Sequence, residues 1–141
     1  MSGRIEQSGR LRNEPTPDNA IVVVRGGRDS IEKLAKHVAR AAALWDYNGQ
    51  PLHGISVFCG LDDEGPDSLN GVLFAMRTYR QVHLISVGEI DRAGYELLAT
   101  GQRPHFTLHD PHKPSTLELQ ALLDVLGEPQ RNPFFTTGRT S

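Results

Sequence analysis

One cysteine, Cys59, stands in the whole chain, so no internal disulfide can form, which suits a reducing compartment. No apolar run is long enough to cross a bilayer, and the opening Met1-Ser2-Gly3-Arg4-Ile5-Glu6 lacks the apolar stretch of a secretory signal. These absences predict a cytoplasmic location without membrane contact. A surplus of positive charge is missing too. The formal net charge is −2 with the histidines neutral, so net charge does not indicate nucleic acid, although a local basic patch remains open. Internal repeats and low-complexity tracts are absent. The hydrophobic share is only 38%, and part of the shortfall lies in the polar ends. What is left is a chain of 141 residues, enough for one domain with its own core and no metal or disulfide staple.

Residues 1–19 are polar, carry both charge signs and contain Pro15 and Pro17, which predicts a disordered tail; 136–141 form a second, flexible one. Between them, 20–135 read as a single domain. Ala20-Ile-Val-Val-Val24 is a β-branched run, the pattern of a strand covered on both faces. Asp29 with Glu32 makes a capping box, and Ile31, Leu34, Ala35, Val38, Ala41, Ala42 and Trp45 give the helix after it an apolar stripe, with a stop at Asn48-Gly49. Further strands are expected at 53–59, 82–87 and 104–109. Helices are expected over about 68–80, 89–99 and 115–126, the last opened by a capping box of Ser115 with Glu118. About four strands thus alternate with four helices. The alternation predicts an α/β domain with a mixed or mostly parallel sheet, and a small split sheet would give the same string.

Chemistry is expected where strands end. Arg25-Gly26-Gly27-Arg28 lies between the first strand and a capped helix, where backbone N–H groups, the helix dipole and two arginines can hold phosphate; a tight turn with solvated arginines is the plainer account. Ser56 lies on the second strand. His53 points to the opposite face, so the two are not a nucleophile–base pair. Glu89 follows the third strand, as either a base or an ordinary first-turn acid. His105, Thr107 and His109 share one face of the fourth strand, with Asp110 and His112 beyond. No metal is assigned to them. Cys59 reads as a small, unreactive core residue.

His105-Phe-Thr-Leu resembles the histidine–hydrophobic–threonine–hydrophobic motif of 2H phosphoesterases, without the second copy that family uses. Val-Val-Val-Arg25-Gly-Gly, Gly54-Ile-Ser56-Val-Phe and Arg103-Pro-His105-Phe-Thr-Leu together resemble a group of small actinobacterial α/β proteins with no assigned activity. Arg25, Ser56 and Glu89, in that order, are loosely similar to ADP-ribosyltransferase-like toxins, though Ser56 lies outside any Ser-Thr-Ser motif and no Glu-x-Glu follows. That similarity implies a toxin-like enzyme acting on NAD or a nucleotide. Arg25, Gly26, Gly27, Arg28 and Ser56 would bind it, and Glu89 or His105 would act as the catalytic group. Two other functions fit the residues. One is an antitoxin, immunity or regulatory protein that meets its partner through the N-terminal tail or the acidic loop 62–67. The other is a ribonuclease using His105 and His109 as acid and base.

Overall fold

The computed structural model describes residues 3–5, 10–11, 21–47, 49–112 and 117–136. In chain order the elements are β1 (Gly3–Ile5), β2 (Arg10–Leu11), β3 (Val22–Gly26), α1 (Ile31–Leu44), β4 (Trp45–Tyr47), β5 (Gln50–Pro51) and β6 (Gly54–Gly60). Then follow α2 (Leu69–Ala75), β7 (Gln81–Ser86), α3 (Val87–Arg92), β8 (Glu96–Ala99), β9 (His105–His109), α4 (Leu119–Leu126) and β10 (Gln130–Arg131). Seven strands form the main sheet in the order β10-β7-β3-β6-β9-β8-β2. Every neighbouring pair in it is antiparallel. Among the described residues, the one parallel ladder joins β1 to β4 in a small second sheet with β5.

The mixed or mostly parallel sheet expected from the sequence is therefore corrected to an antiparallel one. That expectation rested on the alternation of strands with helices, and the β-branched run gave no sign against it. Val23 and Val24 are both buried, Val23 among the side chains of α1, α3 and α4 and Val24 against α2. An antiparallel strand sandwiched between helices reads like a parallel one, because burial on both faces, and not direction, sets the pattern. Strands β6 and β7 do run the same way, but β3 lies between them pointing the other way. The connection through α2 thus skips a strand, as in a split sheet.

Other boundaries shift for local reasons. Ser30 caps α1, its hydroxyl accepting from Lys33 N–H, while Asp29 is buried for another purpose. The helix expected over 89–99 stops at Arg92; Gly94 takes φ +89° and the chain becomes β8. There Leu97 and Leu98 bury into opposite faces, which a strand achieves with adjacent residues and a helix does not. Within the expected N-terminal tail, Gly3–Ile5 pair with Trp45–Tyr47 and Arg10–Leu11 with Leu97–Leu98. The rest of that tail, the Ser115 capping box and 137–141 lie outside the described residues. No helix among the described residues is long and apolar enough to cross a membrane.

Candidate active site

The cleft arises where two strands part. Strand β6 pairs with β9 from Gly54 to Phe58, but its ladder with β3 spans only Phe58 to Gly60, opposite Val22–Val24. Beyond Val24 the side chain of Arg25 fills the ladder's place, its Nη1 donating to the Ser56 carbonyl at 2.7 Å. A buried guanidinium needs a counter-charge. Asp29, four residues on in the turn that leads to α1, supplies it: Nε and Nη2 donate to its two carboxylate oxygens at 2.7 and 3.1 Å. Behind it, Asp29 N–H donates to His83 Nε2, and His83 Nδ1 lies 3.2 Å from the Leu126 carbonyl.

The second Arg25 amine, Nη2, also lies 2.8 Å from His37 Nδ1. A guanidinium only donates, so Nδ1 accepts and the imidazole carries its proton on Nε2. Burial, then the charge of Arg25, hold the His37 pKa below its ordinary value.

On the cleft's other side, the antiparallel register sets Ser56 opposite Thr107 and Phe58 opposite His105. Ser56 and His105 are diagonal neighbours on one face, and Ser56 Oγ hydrogen-bonds His105 Nε2. His105 Nδ1 lies 2.8 Å from the Thr100 carbonyl, an obligate acceptor, so Nδ1 bears the proton. Nε2 then has a free lone pair, and the Ser56 hydroxyl donates to it. The Thr100 hydroxyl, 2.9 Å from His105 Nδ1 and 2.8 Å from Thr107 Oγ1, steadies the arrangement, and Phe58 meets the imidazole edge-on at 5.3 Å. The result is a hydroxyl, a base oriented to receive its proton, and a carbonyl fixing the base.

The space between these walls is a cleft of about 240 Å³. Helix α1 contributes His37, Arg40 and Leu44, and Trp45, Phe58 and Tyr79 contribute aromatic surface; among the described residues no carboxylate lines it. Among the described residues, its character is cationic and aromatic.

Of the residues singled out in the sequence, Arg25, Gly26, Ser56 and His105 meet here. Gly27 and Arg28 do not line the cleft, and the glycine pair has structural duties. A Cβ on Gly26 would lie 2.8 Å from the Tyr79 ring, and Gly27, at φ +81°, donates its N–H to Gln81 O at 2.8 Å. Arg28 is exposed and pairs with Glu128 at 3.2 Å. Glu89 is exposed in the first turn of α3, its N–H bonded to Ser86 Oγ. It belongs to the opposite end of the sheet, because Ser86 is in register with Val22 while Gly26 is in register with Val82. In an antiparallel sheet, the C-terminal ends of neighbouring strands lie at opposite edges.

His109 is fully buried against Glu96 and outside the cleft, and the His112 N–H bonds the Asp110 carboxylate. No group of three or more potential metal ligands occurs among the described residues. The acidic loop is tied down by Arg103, which reaches Asp62 at 2.8 Å and Asp67 at 2.7 Å, and the hydrogen bond from Arg103 lowers the Asp62 pKa. Cys59 is buried, its thiol pushed up to about 12 by desolvation. Sequence reasoning missed His37, Arg40, Thr100 and Tyr79. A signal existed for two of them: Lys33, His37, Arg40 and Leu44 form a stripe at helical spacing beside the apolar one.

Comparison with family models, curated proteins and solved structures gave no match.

Proposed function

We propose that this chain is a phosphate-ester-directed enzyme, hydrolytic or transferring, that uses Ser56 as nucleophile and His105 as general base. The observation that carries this is the Thr100 carbonyl–His105–Ser56 relay opening into a cleft. In it, Ser56 Oγ attacks phosphorus as His105 Nε2 takes the hydroxyl proton. The ester P–O bond breaks, and the imidazolium returns that proton to the leaving oxygen. Water, deprotonated by the same imidazole, then attacks phosphorus; the P–Oγ bond breaks, Ser56 Oγ takes the proton back from the imidazolium, and the phosphate product leaves. The lining favours a phosphate over a neutral acyl ester, because it offers Arg40 and the His37 Nε2–H to developing negative charge and no carboxylate to repel it.

A nucleotide or dinucleotide belongs to this substrate class, with Trp45 and Tyr79 available to a base. The ADP-ribosyl-transfer variant is less well supported, since Glu89 lies at the far end of the sheet. A cytoplasmic setting fits the single cysteine. Turnover of bis(4-nitrophenyl) phosphate tests the proposal, with 4-nitrophenyl acetate as the acyl control. Phosphodiester hydrolysis, reduced at least about 100-fold in Ser56→Ala and in His105→Ala, is the expected result. Acetate turnover alone, or diester turnover unchanged in both variants, overturns it.

A further inference from the structure

The cleft opens beside a ridge whose composition differs from the rest of the surface. Its core, residues 69–82 and 129–136, contains Arg77, Arg80 and Arg131 and not one carboxylate, and residues 33–44 of α1, across the cleft, add Lys33, Lys36 and Arg40, again with none, in a chain of net charge −2. All six cations are exposed. Aromatic rings sit among them. Phe74 is 53% exposed and Tyr79 47%, unusual for such large apolar side chains. The Arg77 guanidinium lies 4.5 Å above the Phe74 ring, and that of Arg80 5.4 Å from the Phe135 ring. Phe134 meets Phe74 edge-on at 5.8 Å.

The ridge is held rigidly. Asn132, fully buried, donates from Nδ2 to the Leu73 and Met76 carbonyls, accepts Phe134 N–H at Oδ1, and gives its own N–H to Arg80 O. Thr136 N–H bonds Arg77 O. The segment carrying Phe134 and Phe135 is thereby fastened to the turn carrying Arg77, Tyr79 and Arg80. That same turn delivers Tyr79 to the cleft wall, where its ring rests on Gly26.

We infer that the substrate of the cleft is a single-stranded nucleic acid, led to Ser56 along this arginine–aromatic ridge. Arginines interleaved with exposed rings match a chain of alternating phosphates and bases. A purely electrostatic ligand such as an acidic peptide has no use for exposed rings. A duplex keeps its base faces stacked and cannot bend one backbone down to the half-buried Ser56. The inference rests on the reading of the cleft as a phosphate-ester site and names the polymer that supplies the ester.

Fluorescence anisotropy with labelled single-stranded RNA and DNA oligonucleotides tests it, using the full-length Ser56→Ala protein so that the probe survives. Expected is micromolar binding of RNA, DNA or both, at least about tenfold tighter than the matching duplex or a polyglutamate of equal charge. RNA alone would mean that the ribose hydroxyl is read; equal RNA and DNA binding would mean that it is not, and both support the inference. Adding Arg77→Ala with Arg80→Ala lowers affinity about tenfold and flattens the salt dependence by about 1.4 in log–log slope, two phosphates' worth. Adding Phe74→Ala lowers affinity about fivefold with the slope unchanged. Circular dichroism melting checks that each variant folds. No oligonucleotide binding, equal binding of duplex or polyglutamate, or affinity indifferent to all three substitutions overturns the inference. The two readings fail separately: oligonucleotide binding without any diester turnover sinks the catalysis alone, and diester turnover without oligonucleotide binding sinks the ridge alone.

Discussion

Strand β9 presents two histidines to the same face of the sheet, His105 at its start and His109 at its end. Their neighbours make them different groups. His105 is partly exposed, bonded to a carbonyl on one nitrogen and a serine hydroxyl on the other, and it borders the cleft. His109 is fully buried, its Nε2 2.8 Å from Glu96 Oε1 and its ring edge-on to Tyr47 at 5.3 Å. The strand's start lies opposite Phe58, the last β6 residue still paired with β3, and faces the cleft that opens just beyond that pair; its end lies beside Gly54 and β8, under the small sheet that carries Tyr47. Residue type and strand periodicity are identical at the two positions. What covers each position separates them: His105 borders the cleft, whereas Glu96 of β8 and Tyr47 of the small sheet close over His109.

Replacing each histidine in turn is the strongest way to break this contrast. His105→Asn is expected to lower diester turnover by about 10²–10⁴-fold, as loss of a general base does, with little change in urea midpoint. His109→Asn is expected to leave turnover per folded molecule intact while costing about 2–3 kcal/mol of stability, because Glu96 then loses a desolvated partner. Equal loss of turnover in both variants would make the two ends of β9 one site and remove the contrast.

Next in size is the wedge that keeps the ladder open. Arg25→Met strands the Asp29 carboxylate, whose side chain is 0% exposed, and is expected to cost about 3–5 kcal/mol in urea unfolding. Adding Asp29→Leu is expected to recover most of that loss, since an apolar pair of similar bulk avoids the desolvation cost. If Arg25→Met unfolds within about 1 kcal/mol of the parent, the guanidinium is no wedge.

A smaller effect is expected at the closed end. In Glu96→Gln the amide oxygen can still accept from His109 Nε2, so only the charge assistance disappears, costing about 1 kcal/mol by the same unfolding measurement. A loss well above that would show the pair to depend on full ionisation.

These contrasts explain what was legible in the sequence. Arg25, Ser56 and His105 stood out as polar residues in otherwise apolar strands, and they do share a cleft. Their partnership was hidden, because Ser56 and His105 are 49 residues apart and only the β6–β9 register makes them diagonal neighbours. His53, three residues from Ser56, was the partner within sight, but it lies just before β6, and the Ser56 hydroxyl bonds His105 instead. Glu89 was misjudged for a topological reason. Strand-end logic gathers residues at one edge in a parallel sheet, whereas antiparallel neighbours send theirs to opposite edges, and the β-branched strand does not announce its direction. The glycine pair drew attention as a phosphate cradle, and its need for glycine is met by the Tyr79 ring and the turn to Gln81.

The smallest expected effect sharpens the comparison from the opposite wall, at His37. Its folded-state pKa lies below the ordinary 6.5, through burial and then Arg25, so the native protein binds fewer protons there than the unfolded chain. The stability this contributes is complete above pH 6.5, where both states hold a neutral imidazole, and it is lost as pH falls through the folded value. His37→Gln keeps an acceptor for Arg25 and cannot titrate. It is therefore expected to flatten the fall in urea midpoint between neutral pH and about pH 5, modestly, because His37 is only partly buried and solvent screens its neighbours. An unaltered pH profile in His37→Gln would mean that the imidazole titrates alike in the folded and unfolded chains, so that burial beside Arg25 does not favour its neutral form.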